Sequence, residues 1–518
     1  MRAPASIERP CAEGVAVNQL FRTKSIEALV AASNEEGKRL QRHLGAWSLM
    51  ALGIGAVIGS GIFILTGTAA AGEIRSFHSI FHVPLLDLFM HGGQSEFTIG
   101  RPGAGPGIAL SFFLTALACG FAALCYAEMA STIPVAGSAY TYAYATMGEL
   151  TAWMIGWNLI LEYAVSNMAV AVGFSAHVNH IMSGVFGFNL PRELCEPAIA
   201  GGSYTGAWFN LPAFIVLMLL TVLLVHGIKE SARANDIMVI VKIAAILIFI
   251  VGAARAIVPE NYEPFMPNGF SGVLTGAAIV FFTYIGFDSV STAAEECKNP
   301  QRDMPIGILG TLLVCSVLYI GVALVLTGIA GWKTLNNAAP VVGALKALHM
   351  NTLWKWVDIG ALGGMISSLL VFQYGQARVW FAMSRDGLLP RLFSRVHPRY
   401  KTPHVSTWIA GFAVGIPAGV WDVGTFADLS NIGTLFAFAV VGAGVLVLRR
   451  TQPDRKRGFT VPLGPLFPLL AIASCFILML ALPLETWIRF VGWSIVGLII
   501  YFAFGRKNSA LARVDSNR

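Results

Sequence analysis

Apolar stretches of about 20 residues recur along the chain from Trp47 to Phe504, separated by shorter polar or basic segments. At 1.5 Å rise per residue such a run matches the ~30 Å hydrocarbon core of a bilayer, so each reads as a membrane-spanning helix. The pattern predicts twelve spans, at about 48–70, 107–133, 149–180, 210–228, 235–257, 271–294, 305–331, 355–383, 405–421, 425–449, 465–482 and 486–505. The apolar character fails at only a few positions inside these runs. Those positions carry most of the chemical information.

Composition removes the alternatives to a membrane. Of 518 residues 56% are hydrophobic and 12% charged, with mean hydropathy +0.68; an average soluble chain is about 25% charged. That excludes a secreted, fibrous, disordered or multi-domain cytosolic protein. The net charge of +7 and pI near 9.0 would fit nucleic acid were the cations spread evenly, and they are not. Arg22, Lys24, Lys38 and Arg39 precede the first span, Arg385, Arg391, Arg395, Arg399 and Lys401 fill 384–404, and Arg449, Arg450, Arg455, Lys456 and Arg457 fill 449–464. All three segments fall on one side. The positive-inside rule then places both termini in the cytoplasm, and the basic pI argues for topology rather than for a nucleic-acid partner.

Residues 1–47 are polar and lack an early apolar core, so the first span is expected to direct insertion itself. Within this tail, Leu20, Ile26, Leu29 and Val30 fall near helical spacing among Arg22, Lys24, Lys38 and Arg39, the pattern of an interfacial helix on the inner membrane surface; a tail without fixed structure is the alternative. The gap at 73–105 reads as an external, family-specific insertion of no function; a short surface helix over the outer entrance, using Phe77, Phe81, Leu85, Leu86 and Phe89, is the alternative. Among Cys11, Cys119, Cys125, Cys195, Cys297, Cys315 and Cys475 only Cys195 falls in an external gap, and no pair has metal spacing. Neither a structural disulfide nor a metal is expected.

The first span contains Gly53, Gly55, Gly59 and Gly61, with Ser60 between the last two, at mid-membrane depth. Each Gly weakens a helix by about 1 kcal/mol relative to Ala. Unwound backbone at that depth is tolerated only where it lines a polar cavity; close helix packing through small residues is the alternative. Five spans later Phe281-Phe282-Thr283-Tyr284-Ile285-Gly286-Phe287-Asp288-Ser289 repeats the interruption. Two broken helices five spans apart run in opposite directions through the bilayer, which is the mark of an inverted repeat, spans 1–5 against spans 6–10, with a site where the breaks meet. A broken helix offers free N–H groups and a positive dipole end to a carboxylate, and free carbonyls to an ammonium. Both together suit a zwitterionic amino acid.

At these motifs the chain resembles the amino acid–polyamine–organocation superfamily, and within it the cationic amino acid transporter family and its bacterial relatives. The resemblance runs over most of 45–450. It rests on Leu52 to Phe63, on Ala123-Leu124-Cys125-Tyr126-Ala127-Glu128 with Ile133 to Tyr140, on Leu161-Glu162-Tyr163, on Gly286-Phe287-Asp288 through Met304-Pro305, and on Ala382 to Pro390. It departs from many relatives in the long 73–105 insertion and in Ser60, where Thr is common. The resemblance implies an all-α membrane protein of twelve transmembrane helices with helices 1 and 6 broken: a first repeat at 48–257, a second at 271–449, two extra helices at 465–505 and a cytoplasmic tail at 506–518. It implies alternating access in a cell membrane, the inner membrane of a bacterium. It also implies that the backbone of Ser60, Gly61 and Ile62 meets the substrate carboxylate, that carbonyls near Ile54, Val57, Phe282 and Ile285 meet its amino group, and that Phe282 serves as a lid.

Ionisable residues inside the spans complete the reading. Lys242 stands among Met238, Val239, Ile240, Val241 and Ile243, at a cost of about 2.5–3.5 kcal/mol on insertion scales. A lysine removed from water exchanges its proton readily, although snorkelling to the inner surface is an alternative. The resemblance implies that its ammonium replaces the Na⁺ of sodium-coupled relatives, beside Ser367 and Ser368, so a proton is the expected coupling ion and no other cofactor is expected. Glu162 and Asp288 are candidates to shape a polar cavity beside the pocket, to pair with Lys242 or to receive a cationic side chain, with hydrogen bonding to exposed backbone as the plain alternative. Glu128, Glu295, Glu296 and Arg378 read as ordinary surface charges near cytoplasmic span ends, with pairing within an inner gate as the alternative.

Phe372, if it faces inward, favours small neutral substrates such as alanine over arginine or lysine. The family name favours the cationic substrates, taken up or exchanged. A non-transporting amino acid sensor is a further class, against which Lys242 argues; an enzyme would need a convergent nucleophile and base or a metal cluster, which the sequence lacks. Beyond the amino acid and the lipid bilayer, a small single-helix accessory subunit is left open.

Overall fold

The computed structural model describes residues 19–33, 44–74, 80–91, 100–200, 203–226, 228–337, 339–400 and 402–510. The chain is almost wholly helical. A short helix α1 (Ile26–Ser33) precedes α2 (Ala46–Val57) and α3 (Gly61–Ala71). There follow α4 (Leu85–His91), α5 (Ile108–Thr132), α6 (Ala139–Thr146), α7 (Glu149–Phe186), α8 (Arg192–Cys195), α9 (Leu211–His226) and α10 (Ile228–Ala253). The second half holds α11 (Gly269–Val280), α12 (Pro300–Ile329), α13 (Pro340–Ala347), α14 (Asn351–Arg385), α15 (His404–Val420) and α16 (Val423–Thr451). The last two long helices are α17 (Leu466–Leu480) and α18 (Leu484–Ile500).

Among the described residues eight helices are long and apolar enough to cross a membrane, and α2 with α3, bent by 46° at a short break, makes a ninth if counted as one span. Three shorter apolar helices, α9, α15 and α17, join them. The chain is therefore an integral membrane protein. α12 lies along α5, and α14 packs between α7 and α10. Leu219, Ile240 and Leu313 point outward, as lipid-facing positions must when nothing drives them inward.

Two expectations change in detail. α1 buries Ile26 and Leu29 against the bundle instead of lying free in an interface. It is tied down by Lys24 Nζ to Asp386 Oδ1 at 2.9 Å and by Arg455 to Glu27 at 2.9 Å; residues 34–43 and the first 18 lie outside the described residues. The 73–105 segment starts and ends in a two-stranded antiparallel sheet, β1 (Gly72–Ile74) on β2 (Gly100–Pro102), held by Arg101 Nη1 to Asp428 Oδ1 at 2.8 Å. α4 lies within it, and the stretches 75–79 and 92–99, with Phe77, lie outside the described residues.

Candidate functional site

The two interruptions found in the sequence meet at the centre of the bundle. α2 ends at Val57, Ile58 leaves the helix at ψ 92°, and α3 resumes at Gly61. Phe63 is the first residue beyond the break whose N–H finds a backbone acceptor, Ser60 O at 3.1 Å. The N–H groups of Ser60, Gly61 and Ile62 therefore form the start of α3 with no backbone partner among the described residues. In the second break α11 runs into a 3-10 turn at Phe281–Tyr284, Ile285 is extended, and Gly286 takes φ +121°. Beyond it Phe287–Glu296 is 3-10 rather than α.

Glycine at 286 is required twice over. Its φ excludes most side chains, and a Cβ there would lie 2.7 Å from Ala56 Cβ and 3.0 Å from Ala56 C. The breaks thus touch through backbone. Likewise a Cβ on Gly61 would fall 2.9 Å from Thr283 Cγ2 and 3.2 Å from Phe282 Cδ1, so Phe282 covers the N-terminus of α3. Tyr319 on α12 bridges the two: its hydroxyl lies 2.8 Å from Val57 O and 2.9 Å from Thr283 O, one carbonyl from each break. The sequence reading missed this residue, because a tyrosine in an apolar helix looks like core.

Lys242 is fully buried and does not snorkel. Its Nζ donates to Gly55 O at 2.7 Å and to Ile58 O at 2.9 Å, and stands 3.2 Å from Ser367 Oγ. Ser367 Oγ contacts Gly55 O at 3.1 Å and Asn235 Oδ1 at 2.8 Å; Ser368 Oγ lies 3.0 Å from Gly55 O, 2.8 Å from Ala56 O and 3.1 Å from Ile58 O. The C-terminal carbonyls of α2 are thereby held by an ammonium and two hydroxyls from α10 and α14. The glycines of the first break also serve close packing: a Cβ on Gly59 would meet Ser368 Oγ at 2.8 Å, and one on Gly55 would meet Asn235 Oδ1 at 2.5 Å.

Three of the four carbonyls singled out in the sequence are already engaged: Ile54 O accepts from Ile58 N at 3.1 Å, Phe282 O from Ile285 N at 3.3 Å, and Val57 O from Tyr319. Ile54 O and Phe282 O retain a second lone pair, whereas Val57 O also accepts from Gly59 N at 3.1 Å. Asp288 is buried just past Gly286; its Oδ2 accepts from Tyr163 OH at 3.1 Å while its Oδ1 has no hydrogen-bond partner among the described residues. Among the described residues both oxygens of Glu162 are buried without a hydrogen-bond partner, as are the Tyr126 and Tyr142 hydroxyls. Phe372 faces inward: it is buried, with its ring 6.2 Å from that of Tyr163. Tyr163 therefore joins the aromatic wall to the carboxylate.

The two ends of the bundle differ. At the α1 end Glu128, Glu295, Glu296 and Arg378 are not surface charges but buried partners. Arg378 Nη1 meets Glu296 Oε1 at 2.6 Å, Tyr374 OH bonds the same oxygen at 2.9 Å, Ala136 N bonds Glu295 at 3.0 Å, and Glu128 pairs with Arg449 at 2.5 Å. Tyr140 OH, at 2.7 Å, and Lys24 share Asp386. They are buried because the segments between spans fold back over them, which span-by-span reading does not show. At the opposite end a groove of about 550 Å³ runs from His180, Asn336 and Asp422 down to Val172 and Gly173. Gly173 packs on Ser60, where a Cβ would meet Ser60 Cβ at 2.8 Å. Beside it, buried His177 on α7 bonds Asp358 on α14, a pair no sequence motif marked. Six cysteines are free thiols, and no His, Cys, Asp or Glu group suited to a metal occurs among the described residues.

Comparison with known proteins gives a consistent set. The family model described as amino acid permease matches residues 44–504. The methylthioribose transporter of Bacillus subtilis (strain 168) is 44% identical over 495 residues, covering 96% of this chain and 100% of its own. The branched-chain amino acid permease BcaP of the same organism is 47% identical over 494 residues, covering 95% and 99%. The vacuolar cationic amino acid transporter 4 of Arabidopsis thaliana is 36% identical over 447 residues, covering 85% of this chain and 68% of its own.

Proposed function

Because the chain belongs to the amino acid permease family and is a transporter rather than an enzyme, we propose that it imports neutral L-amino acids by proton-coupled alternating access. The observation that carries the coupling is the Lys242 ammonium bonded to Gly55 O and Ile58 O. A protonated lysine clamps the end of α2 to α10 and α14 through charge-assisted bonds; once neutral it holds those carbonyls far less strongly, and the break is released. The substrate carboxylate docks on the N–H groups of Ser60, Gly61 and Ile62, its ammonium on carbonyls of the Ile54–Val57 and Phe282–Ile285 turns, with Phe282 as the lid.

In this reading the bent pair, the eight long helices and the three shorter ones make twelve crossings, and the first and second sets of five form the inverted repeat. The α1 end is cytoplasmic and shut by its ion pairs. The groove above Ser60 is the outer approach. Phe372 and Tyr163 wall the side-chain space with apolar rings, which favours alanine and the aliphatic residues; a branched-chain permease among the relatives points the same way. A second reading, cationic substrates, rests on the unpartnered oxygens of Asp288 and Glu162.

Uptake by purified protein in proteoliposomes tests this. An inward proton gradient should drive accumulation of alanine or valine, equally in sodium and in choline buffers. Arginine accumulation in preference to these would establish the cationic reading. Uptake that required sodium would sink the coupling, and binding without uptake would make the protein a sensor.

A further inference from the structure

The α1 end of the bundle carries a groove on its outer wall, away from both breaks, with a volume of about 720 Å³. One wall is α12, where Arg302, Ile306, Leu309 and Leu313 recur along a single helical face. The other is Gly458 and Phe459, from the segment joining α16 to α17. That segment is seated firmly: Phe459 N bonds Ser131 Oγ at 3.1 Å, and a Cβ on Gly458 would strike Gln301 Cβ at 2.6 Å.

The chemistry of the groove changes along its length. At its mouth stand Arg302 and the amides of Asn299 and Gln301. Below them Ile306 and Leu313 are 44% and 68% exposed on a helix that crosses the membrane, so what they face is acyl chain. The charge is not neutralised from within. Glu128 is committed to Arg449 and Glu296 to Arg378, while Arg302 and the neighbouring Lys298 and Lys456 have no carboxylate within salt-bridge distance among the described residues. Asp303, next in the chain to Arg302, lies on another face of α12 and does not line the groove.

We infer that this groove binds one anionic phospholipid, its phosphate at Arg302 and the flanking amides and one acyl chain along Ile306, Leu309 and Leu313. A soluble phosphate would leave the apolar wall uncovered, and a zwitterionic lipid would bring no net charge to Arg302. The fit is to both halves of one molecule.

Native mass spectrometry of the full chain, titrated with phosphatidylglycerol or with phosphatidylcholine of the same acyl chains, tests the site. The wild type should retain phosphatidylglycerol preferentially. Arg302→Gln should weaken that binding about five-fold, the equivalent of the ~1 kcal/mol contributed by one juxtamembrane cation, and leave phosphatidylcholine unchanged. Leu309→Trp, which fills the apolar wall, should lower retention of both lipids. Equal retention of the two lipids by the wild type, an unaltered preference in Arg302→Gln, or unaltered retention in Leu309→Trp would each overturn the assignment. Both positions are remote from the breaks, so an unchanged melting midpoint confirms that each variant is folded.

Discussion

Replacing Lys242 by Met keeps the unbranched stem of the side chain, one atom shorter, and removes its charge, which separates the coupling role of the residue from its packing. The ammonium makes two bonds to backbone carbonyls, at 2.7 and 2.9 Å. Hydrogen bonds to a charged group contribute about 1.5–3 kcal/mol each, so the clamp on α2 is worth roughly 3–6 kcal/mol before desolvation is charged against it. Burying an ammonium costs several kcal/mol after relaxation. The two nearly cancel, and overall stability should shift by no more than about 2 kcal/mol in either direction. The coupling does not cancel. If the clamp differs between the two protonation states by even ~3 kcal/mol, the balance between conformations moves by about 100-fold per proton, and Met abolishes all of it. Lys242→Met in proteoliposomes should therefore lose accumulation driven by a pH gradient while retaining exchange of labelled for unlabelled substrate across symmetric membranes. Undiminished gradient-driven accumulation in a folded Lys242→Met variant would refute the reasoning.

Three further perturbations probe the surrounding geometry. Tyr319→Phe leaves Val57 O and Thr283 O short of a shared donor, and unfolding in detergent should show a loss of about 1–3 kcal/mol, together with a raised KM because the two breaks are no longer held in register. Phe372→Ser opens the side-chain space beside Tyr163, and competition uptake should admit larger neutral amino acids; an unchanged substrate profile would remove Phe372 from the pocket wall. Arg378→Ala strands the buried Glu296 carboxylate, which should cost about 3–5 kcal/mol and sharply lower the melting midpoint, whereas Arg378→Ala with Glu296→Gln should recover much of it.

Much of this site was readable in advance because a bilayer punishes polar groups so severely that each one stands out. Gly59-Ser60-Gly61, Gly286 with Asp288, and Lys242 are anomalies against an apolar background, and each lies at the centre of the structure. Ser367 stands 3.2 Å from Lys242 Nζ, and the sequence does not show that Ser367 and Ser368 also contact the carbonyls of Gly55, Ala56 and Ile58. Tyr319 and Tyr163 were missed because an aromatic residue costs nothing in a membrane helix and so leaves no anomaly. Glu128, Glu295, Glu296 and Arg378 read first as surface charges, with pairing only as the alternative, for the opposite reason. At a span end a charge is unremarkable in sequence, and only the fold of the connecting segments reveals that it is buried.

The sequence by itself determined that the chain lives in a membrane, where its helices break, and which ionisable groups lie at depth. These are properties of single segments, set by hydropathy and by the conformational weakness of glycine. Tertiary structure alone decided which carbonyls Lys242 grips, across 187 positions of chain, that Tyr319 joins the two breaks, and that Phe372 turns inward. A helix of uniformly apolar residues has no amphipathic stripe to set its rotation, so which face meets which neighbour follows from close packing of small residues against large ones. That information exists only once the helices are assembled.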